Sequence, residues 1–116
     1  MYEAGIHATF TRLGMATDPS LYAPGGIYEF PANNTGEAQI KAIIEQKWVS
    51  MINTQGLESF FEQNRTGYPD FYMLSVNNVT AGQFPRRLLY PDSEISSNRN
   101  NVPTQVNVFT KVWWNK

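Results

Sequence analysis

Ile6, Phe10 and Leu13 recur at spacings of four and three, which predicts a short amphipathic helix over residues 2–13, with Gly14 placed to stop it. A longer stripe comes later. Ile40, Ile43, Ile44, Trp48, Met51 and Ile52 fall on one face of a helix, while Glu37, Lys41 and Glu45 stand four apart on another. Thr35 or Asn34 can cap this helix, and Glu37 puts a negative charge in the first turn, where the helix dipole favours one. The pattern lapses over 53–56 and resumes with Leu57, Phe60 and Phe61. Residues 37–66 therefore read as two antiparallel helices with a tight connection, an αα-hairpin.

The rest of the chain has no sustained period. Residues 16–36 pack three prolines and three glycines among Tyr22, Tyr28 and Phe30, a breaker-rich loop that carries aromatics. Loops of that length without structure of their own are usually functional or mobile. Residues 67–116 are rich in Pro and Asn and read as mostly irregular. Short extended pieces fit 86–90 and 106–113, the first held to an edge or a braced loop by Pro85 and Pro91. The fold class that follows is mainly α: an amphipathic helix plus an αα-hairpin, then a long irregular second half.

The stretch RTGYP closes the hairpin. Gly67 can take a left-handed conformation at little cost, and Pro69 forbids continuation, so the stretch stops a helix and fixes its exit direction. Arg65 in the last turn suits the helix dipole, which is reason enough for its place. It is also a candidate staple, reaching Asp92, Glu94 or carbonyls of the irregular half. FPRRLLYPDSE, residues 84–94, repeats the theme with Arg86 and Arg87 between two prolines. A guanidinium offers five donors to main-chain groups that an irregular segment would otherwise leave unmet. Paired arginines here suit internal staples better than a phosphate patch.

Composition narrows the function. The chain has 116 residues, at most one ordinary domain. Nine basic and ten acidic side chains nearly cancel, leaving no field to steer nucleic acid or bind an anionic membrane. There is no cysteine, so disulfides, thiolate zinc sites and cysteine nucleophiles are excluded together. No segment has the roughly 20 apolar residues needed to span a bilayer, and the N-terminus lacks the basic start and apolar run of a signal peptide. The triplets at Asn33, Asn64 and Asn78 match the glycosylation pattern, as an Asn-rich chain does by chance.

Several blocks occur in one order: YEAGI at 2–6, QKWVSMINTQGLESFFEQNRTGYPDF at 46–71, FPRRLLYPDSEISSNRNNV at 84–102 and TKVWWNK at the end. Together they resemble the C-terminal end of the SusD/RagB family, outer-membrane lipoproteins of Bacteroidetes that capture glycans for a SusC-like TonB-dependent porter. The chain departs from the family pattern at Gln63 and Asn64, where an aromatic and a second arginine are usual, and at Asn115, where an aspartate is. The resemblance implies a single C-terminal fragment, residues 1–116, of a longer protein with TPR-like helical repeats. The parent would be held at the cell surface by an N-terminal lipid, the fragment itself being soluble. Helices parted from their usual neighbours would self-associate or rearrange their core.

Three functions compete. The first is non-catalytic polysaccharide binding, implied by the resemblance and supported by aromatics in irregular chain. Sugar rings present CH faces that stack on aromatic rings, and Tyr22, Tyr28, Phe30, Trp113 and Trp114 are the candidates. Each has a plainer reading as core packing or a surface anchor. The second is a structural element that docks on the porter and has no sugar affinity of its own. The third is a glycosidase built on Glu58 and Glu62, one helical turn apart. That pair is more simply a solvated helix face helped by Arg65, and His7, the one histidine, has no nucleophile motif beside it. Asp92 and Glu94 match no calcium loop, so no metal and no cofactor are expected.

Overall fold

The computed structural model describes residues 1–104 and 106–116. The chain forms two compact units, Met1–Phe71 and Tyr72–Lys116. The architecture is mainly α. Helices α1 (Tyr2–Arg12), α2 (Gly36–Met51) and α3 (Gly56–Thr66) belong to the first unit and α4 (Asp92–Ser97) to the second, with no strand among the described residues.

In the first unit α2 packs against both α1 and α3. Thr35 is the cap of α2, its hydroxyl accepting from the Ala38 N–H, and Glu37 lies in the first turn. The connection to α3 is a turn in which Thr54 and Gln55 both donate their N–H to the Met51 carbonyl. Ile44 is the centre of the packing at 5 % exposure, with Ile6 of α1 buried as well. The stripe of α2 is wider than two neighbours can cover, and Ile40, Ile43 and Ile52 stay exposed.

RTGYP ends α3 as its residues require. Gly67 is left-handed at φ 82°, and its N–H returns to the Gln63 carbonyl at 2.8 Å. The Tyr68–Pro69 peptide is cis. Thr66 Oγ1 donates to the Glu62 carbonyl at 2.7 Å and accepts from the Tyr68 N–H at 3.1 Å, so one hydroxyl bridges the helix end and the exit. The exit segment is then fastened to α2. Tyr68 donates its hydroxyl to Glu37, Lys41 bonds Asp70 at 2.7 Å, and Phe71 meets the Trp48 ring edge-on at 5.2 Å. Asn64, one of the departures from the family pattern, is wholly buried and donates to the Phe60 carbonyl.

The loop at 16–36 is tied down at several points. Asp18 caps a short 3-10 turn, Pro19–Leu21, by accepting from the N–H and hydroxyl of Ser20. The chain folds back so closely that a Cβ at Gly26 would lie 2.5 Å from two carbonyl oxygens, those of Ser20 and Leu21. Gln39 of α2 donates to the carbonyls of Pro31 and Ala32, which anchors the far end.

The second unit relies on turns closed by asparagine. Asn78 accepts from the N–H and hydroxyl of Thr80, and Asn107 from the N–H of Phe109 and the hydroxyl of Thr110. Such Asx turns satisfy main-chain donors without a ladder. The extended pieces expected at 86–90 and 106–113 meet through one carbonyl, that of Val108, which accepts from the N–H groups of both Arg86 and Arg87. Where irregular chain was expected, Asp92–Ser97 makes a six-residue helix. Pro91 precedes it with extended backbone, and two acids stand in its first turn, both favourable to a helix start.

Candidate functional site

An open cleft of about 810 Å³ runs between α1 and α2 in the first unit. Ile6, Phe10, Ile43 and Val49 give it an apolar lining, as the unfilled part of the helix stripes predicts. Two aromatic rings add to it. Phe30, from the loop, lies 5.1 Å from the ring of Tyr2 in a tilted pair. Tyr2 donates its hydroxyl to the Tyr28 carbonyl at 3.0 Å, so the first residue of α1 holds the loop aromatics in place. Burial pushes the Tyr2 phenol above its ordinary pKa, and the nearby Glu45 and Tyr28 add to the shift. It stays a donor well into the alkaline range.

The predicted aromatics belong to both units, Tyr22, Tyr28 and Phe30 to the first and Trp113 and Trp114 to the second. Phe30 lines the cleft and Tyr28 is half-exposed beside it in sequence. Tyr22 is only 6 % exposed, edge-on to His7 with its hydroxyl on Nε2 at 2.9 Å, while His7 Nδ1 pairs with the Thr17 hydroxyl. Its ring is covered, which corrects its place among the stacking candidates: it clamps the loop to α1. Trp113, in the second unit, is 96 % exposed, and Trp114 next to it is partly covered.

The arginines and acids divide in the same way. Arg65 donates twice to Glu62, at 3.0 and 2.5 Å, within its own helix. Arg86 contributes main chain: its N–H goes to Val108 and its carbonyl accepts from Asn115 Nδ2 at 2.9 Å. An aspartate at 115 would have no proton to give that carbonyl, so the departure from the family pattern has a use here. Among the described residues the Arg87 side chain donates only to the neighbouring Leu88 carbonyl, at 3.5 Å. Glu94 accepts from Asn98, the residue that ends α4, and Asp92 stands exposed at the head of that helix.

Glu58 and Glu62 are both bound by one cation. Lys47 of α2 lies 3.0 Å from Glu58 and 2.5 Å from Glu62, and Arg65 holds the other oxygen of Glu62. Burial works to raise the Glu62 pKa, but the bonds from Lys47 and Arg65 outweigh it and leave the carboxyl below its ordinary value. Such a group has no proton to lend a leaving oxygen, so the arrangement is a clasp between α2 and α3. No group of three or more His, Asp or Glu side chains that could hold a metal ion occurs among the described residues.

Sequence reasoning named Phe30 as a stacking candidate but not the cleft that it lines, nor Tyr2, Glu3 and Gln46, which line it as well. The signal was present in part: Tyr2 opens the one helix that precedes an aromatic loop. Gln46 sits on α2 beyond the counted stripe and could be placed only once α1 had been docked.

The family model SusD-like, described as Susd and RagB outer membrane lipoprotein, matches residues 22–115. The chain belongs to this family. Its members are non-catalytic outer-membrane lipoproteins of glycan capture and uptake, working with SusC-like porters. No curated protein and no solved structure matches the chain. None of the described helices is long and apolar enough to cross a membrane.

Proposed function

We propose that this chain binds a polysaccharide at the cell surface and leaves the polymer unaltered. The exposure of Trp113 carries the reading. A 96 % exposed indole leaves a large apolar face in water, and the CH face of a sugar ring would cover it. Tyr28 and Phe30 offer a second aromatic surface in the other unit. Trp114 is the remaining candidate. Arg65 through Glu62, Arg86 through its main chain and Glu94 through Asn98 brace their own segments in this reading, whereas Arg87 and Asp92 join no two segments among the described residues. The test is single replacement of Trp113, Trp114, Tyr28 and Phe30 by alanine. Migration through gels containing the recognised polysaccharide should lose its retardation for at least Trp113, with the circular dichroism spectrum unchanged. Retention of binding by all four variants would defeat the proposal.

A second reading has its own observation. Ile40, Ile43 and Val49 of α2 and Leu57 and Phe61 of α3 are exposed, more apolar helix surface than a free-standing hairpin needs. This favours a docking element of the lipoprotein, meeting its TonB-dependent porter without sugar affinity of its own. The same surface would drive the isolated chain to self-associate. Light scattering after size exclusion decides that point: a concentration-dependent mass supports the docking surface, and a strict monomer speaks against it.

A further inference from the structure

Resting on the polysaccharide reading, we infer that the α1–α2 cleft is a subsite for neutral glycans and discriminates against acidic ones. At about 810 Å³ the cleft lies within the range of small-ligand sites, and it has the two kinds of group that a sugar ring needs. The first is an aromatic wall. Tyr2 and Phe30 form a tilted pair 5.1 Å apart, held by the hydroxyl of Tyr2 on the Tyr28 carbonyl. The second is hydrogen bonding from both sides. Glu3 on α1 and Gln46 on α2 line the cleft, and among the described residues neither side chain has a hydrogen-bond or ionic partner. A carboxylate accepts from hydroxyls, while a carboxamide both donates and accepts. Ring hydroxyls can satisfy both.

Charge decides which glycan. Lys47 also lines the cleft, but its ammonium is bound between Glu58 and Glu62. Arg12, at the end of α1, donates to the carbonyl of Ser50 and is not part of the lining. Of the charged side chains that line the cleft, Glu3 is therefore the one without an ionic partner, and it repels a uronate or a sulfate ester. A neutral sugar meets no such penalty, and its hydroxyls give Glu3 the donors it lacks. Selectivity here comes from an unfavourable term against the wrong ligand as much as from contacts to the right one.

The experiment uses the whole chain in affinity gels and in titration calorimetry, with starch, xylan, mannan and β-glucan as neutral polymers and polygalacturonate and alginate as acidic ones. The expected result is binding to at least one neutral polymer and to neither acidic one. Phe30→Ala and Gln46→Ala should each weaken the neutral interaction by up to about tenfold. The Gln46 side chain makes no hydrogen bond or ion pair among the described residues, so its variant reads the site even if Phe30→Ala loosens the loop. Glu3→Gln should narrow the ratio of neutral to acidic affinity by about fivefold, the scale of one surface charge interaction. Wild-type binding that survives Phe30→Ala and Gln46→Ala unchanged, or that is lost only in Trp113→Ala, would overturn the cleft and leave polysaccharide capture standing. Preference for an acidic polymer would overturn the selectivity. Failure of the wild-type chain to bind any polymer would remove both.

Discussion

The two units of this chain are held by different means. Met1–Phe71 is organised by a repeating apolar stripe: Ile44 and Ile6 are buried between helices, and ion pairs close the hairpin. Tyr72–Lys116 has no fully buried large apolar side chain among its described residues and is shaped by asparagine turns, a short helix, a stacked Tyr72–Phe84 pair and one carbonyl shared by two N–H groups. A stripe fixes many residues at once because each turn repeats the last. A turn closed by one amide side chain fixes only three or four residues, and its failure stays local.

The largest expected effect follows from the stripe. Ile44→Ala should lower stability by about 2–5 kcal/mol in urea unfolding, because it leaves a void where both neighbouring helices meet α2. A change below about 1 kcal/mol would mean that the first unit also is held mainly by polar contacts. Next comes the clasp. Glu62→Gln takes a partner from both Lys47 and Arg65 and should cost about 1–3 kcal/mol, Glu62 being only 12 % exposed.

The same clasp sets a pH window. Glu62 and Asp70 have lowered pKa values, Glu62 through Lys47 and Arg65 against its burial, and Asp70 mainly through its bond from Lys41. Their stabilisation is complete above the unfolded carboxylate range, about pH 4, and is lost as pH falls through the folded values. Lys47 and Lys41 are raised by their bonds to Glu62 and Asp70, so their share is complete below about pH 10 and is lost as pH rises through the folded values. The melting temperature should be flat near neutrality and fall at both ends, and Glu62→Gln should flatten the acid limb.

Smaller effects test the second unit. Asn115→Asp places an acceptor against the Arg86 carbonyl and should cost about 1–2 kcal/mol. Hydrogen exchange should quicken at the Arg86, Arg87 and neighbouring amides with no change in the hairpin. Exchange that quickens throughout would show the two units to be one cooperative body. The smallest effect is that of Arg65→Ala, about 0.5–1 kcal/mol, since Arg65 is exposed and Glu62 keeps its bond to Lys47.

Sequence alone was most informative where periodicity operates. The three helices of the first unit and the Gly67 stop were legible, and the cap was narrowed to Thr35 or Asn34, because spacing and terminal residues are local signals. The ordered blocks at 46–71, 84–102 and the chain's end carried the family. The placement of side chains was harder to read. Tyr22 looked like a loop aromatic and is covered because His7, fifteen residues earlier, receives it. Arg65 had acids both near and far in sequence, and the near one holds it. The cleft depends on how α1 lies on α2, which no single stripe encodes, so Glu3 and Gln46 gained meaning only from the fold.

The most direct test of the account is affinity electrophoresis of the whole chain through starch, xylan, mannan and β-glucan, with a reducing-end assay on the same mixtures. The account predicts retardation by at least one polymer and no new reducing ends. Free migration through all of them would contradict it and return the chain to a docking role, and release of reducing ends would contradict capture without catalysis.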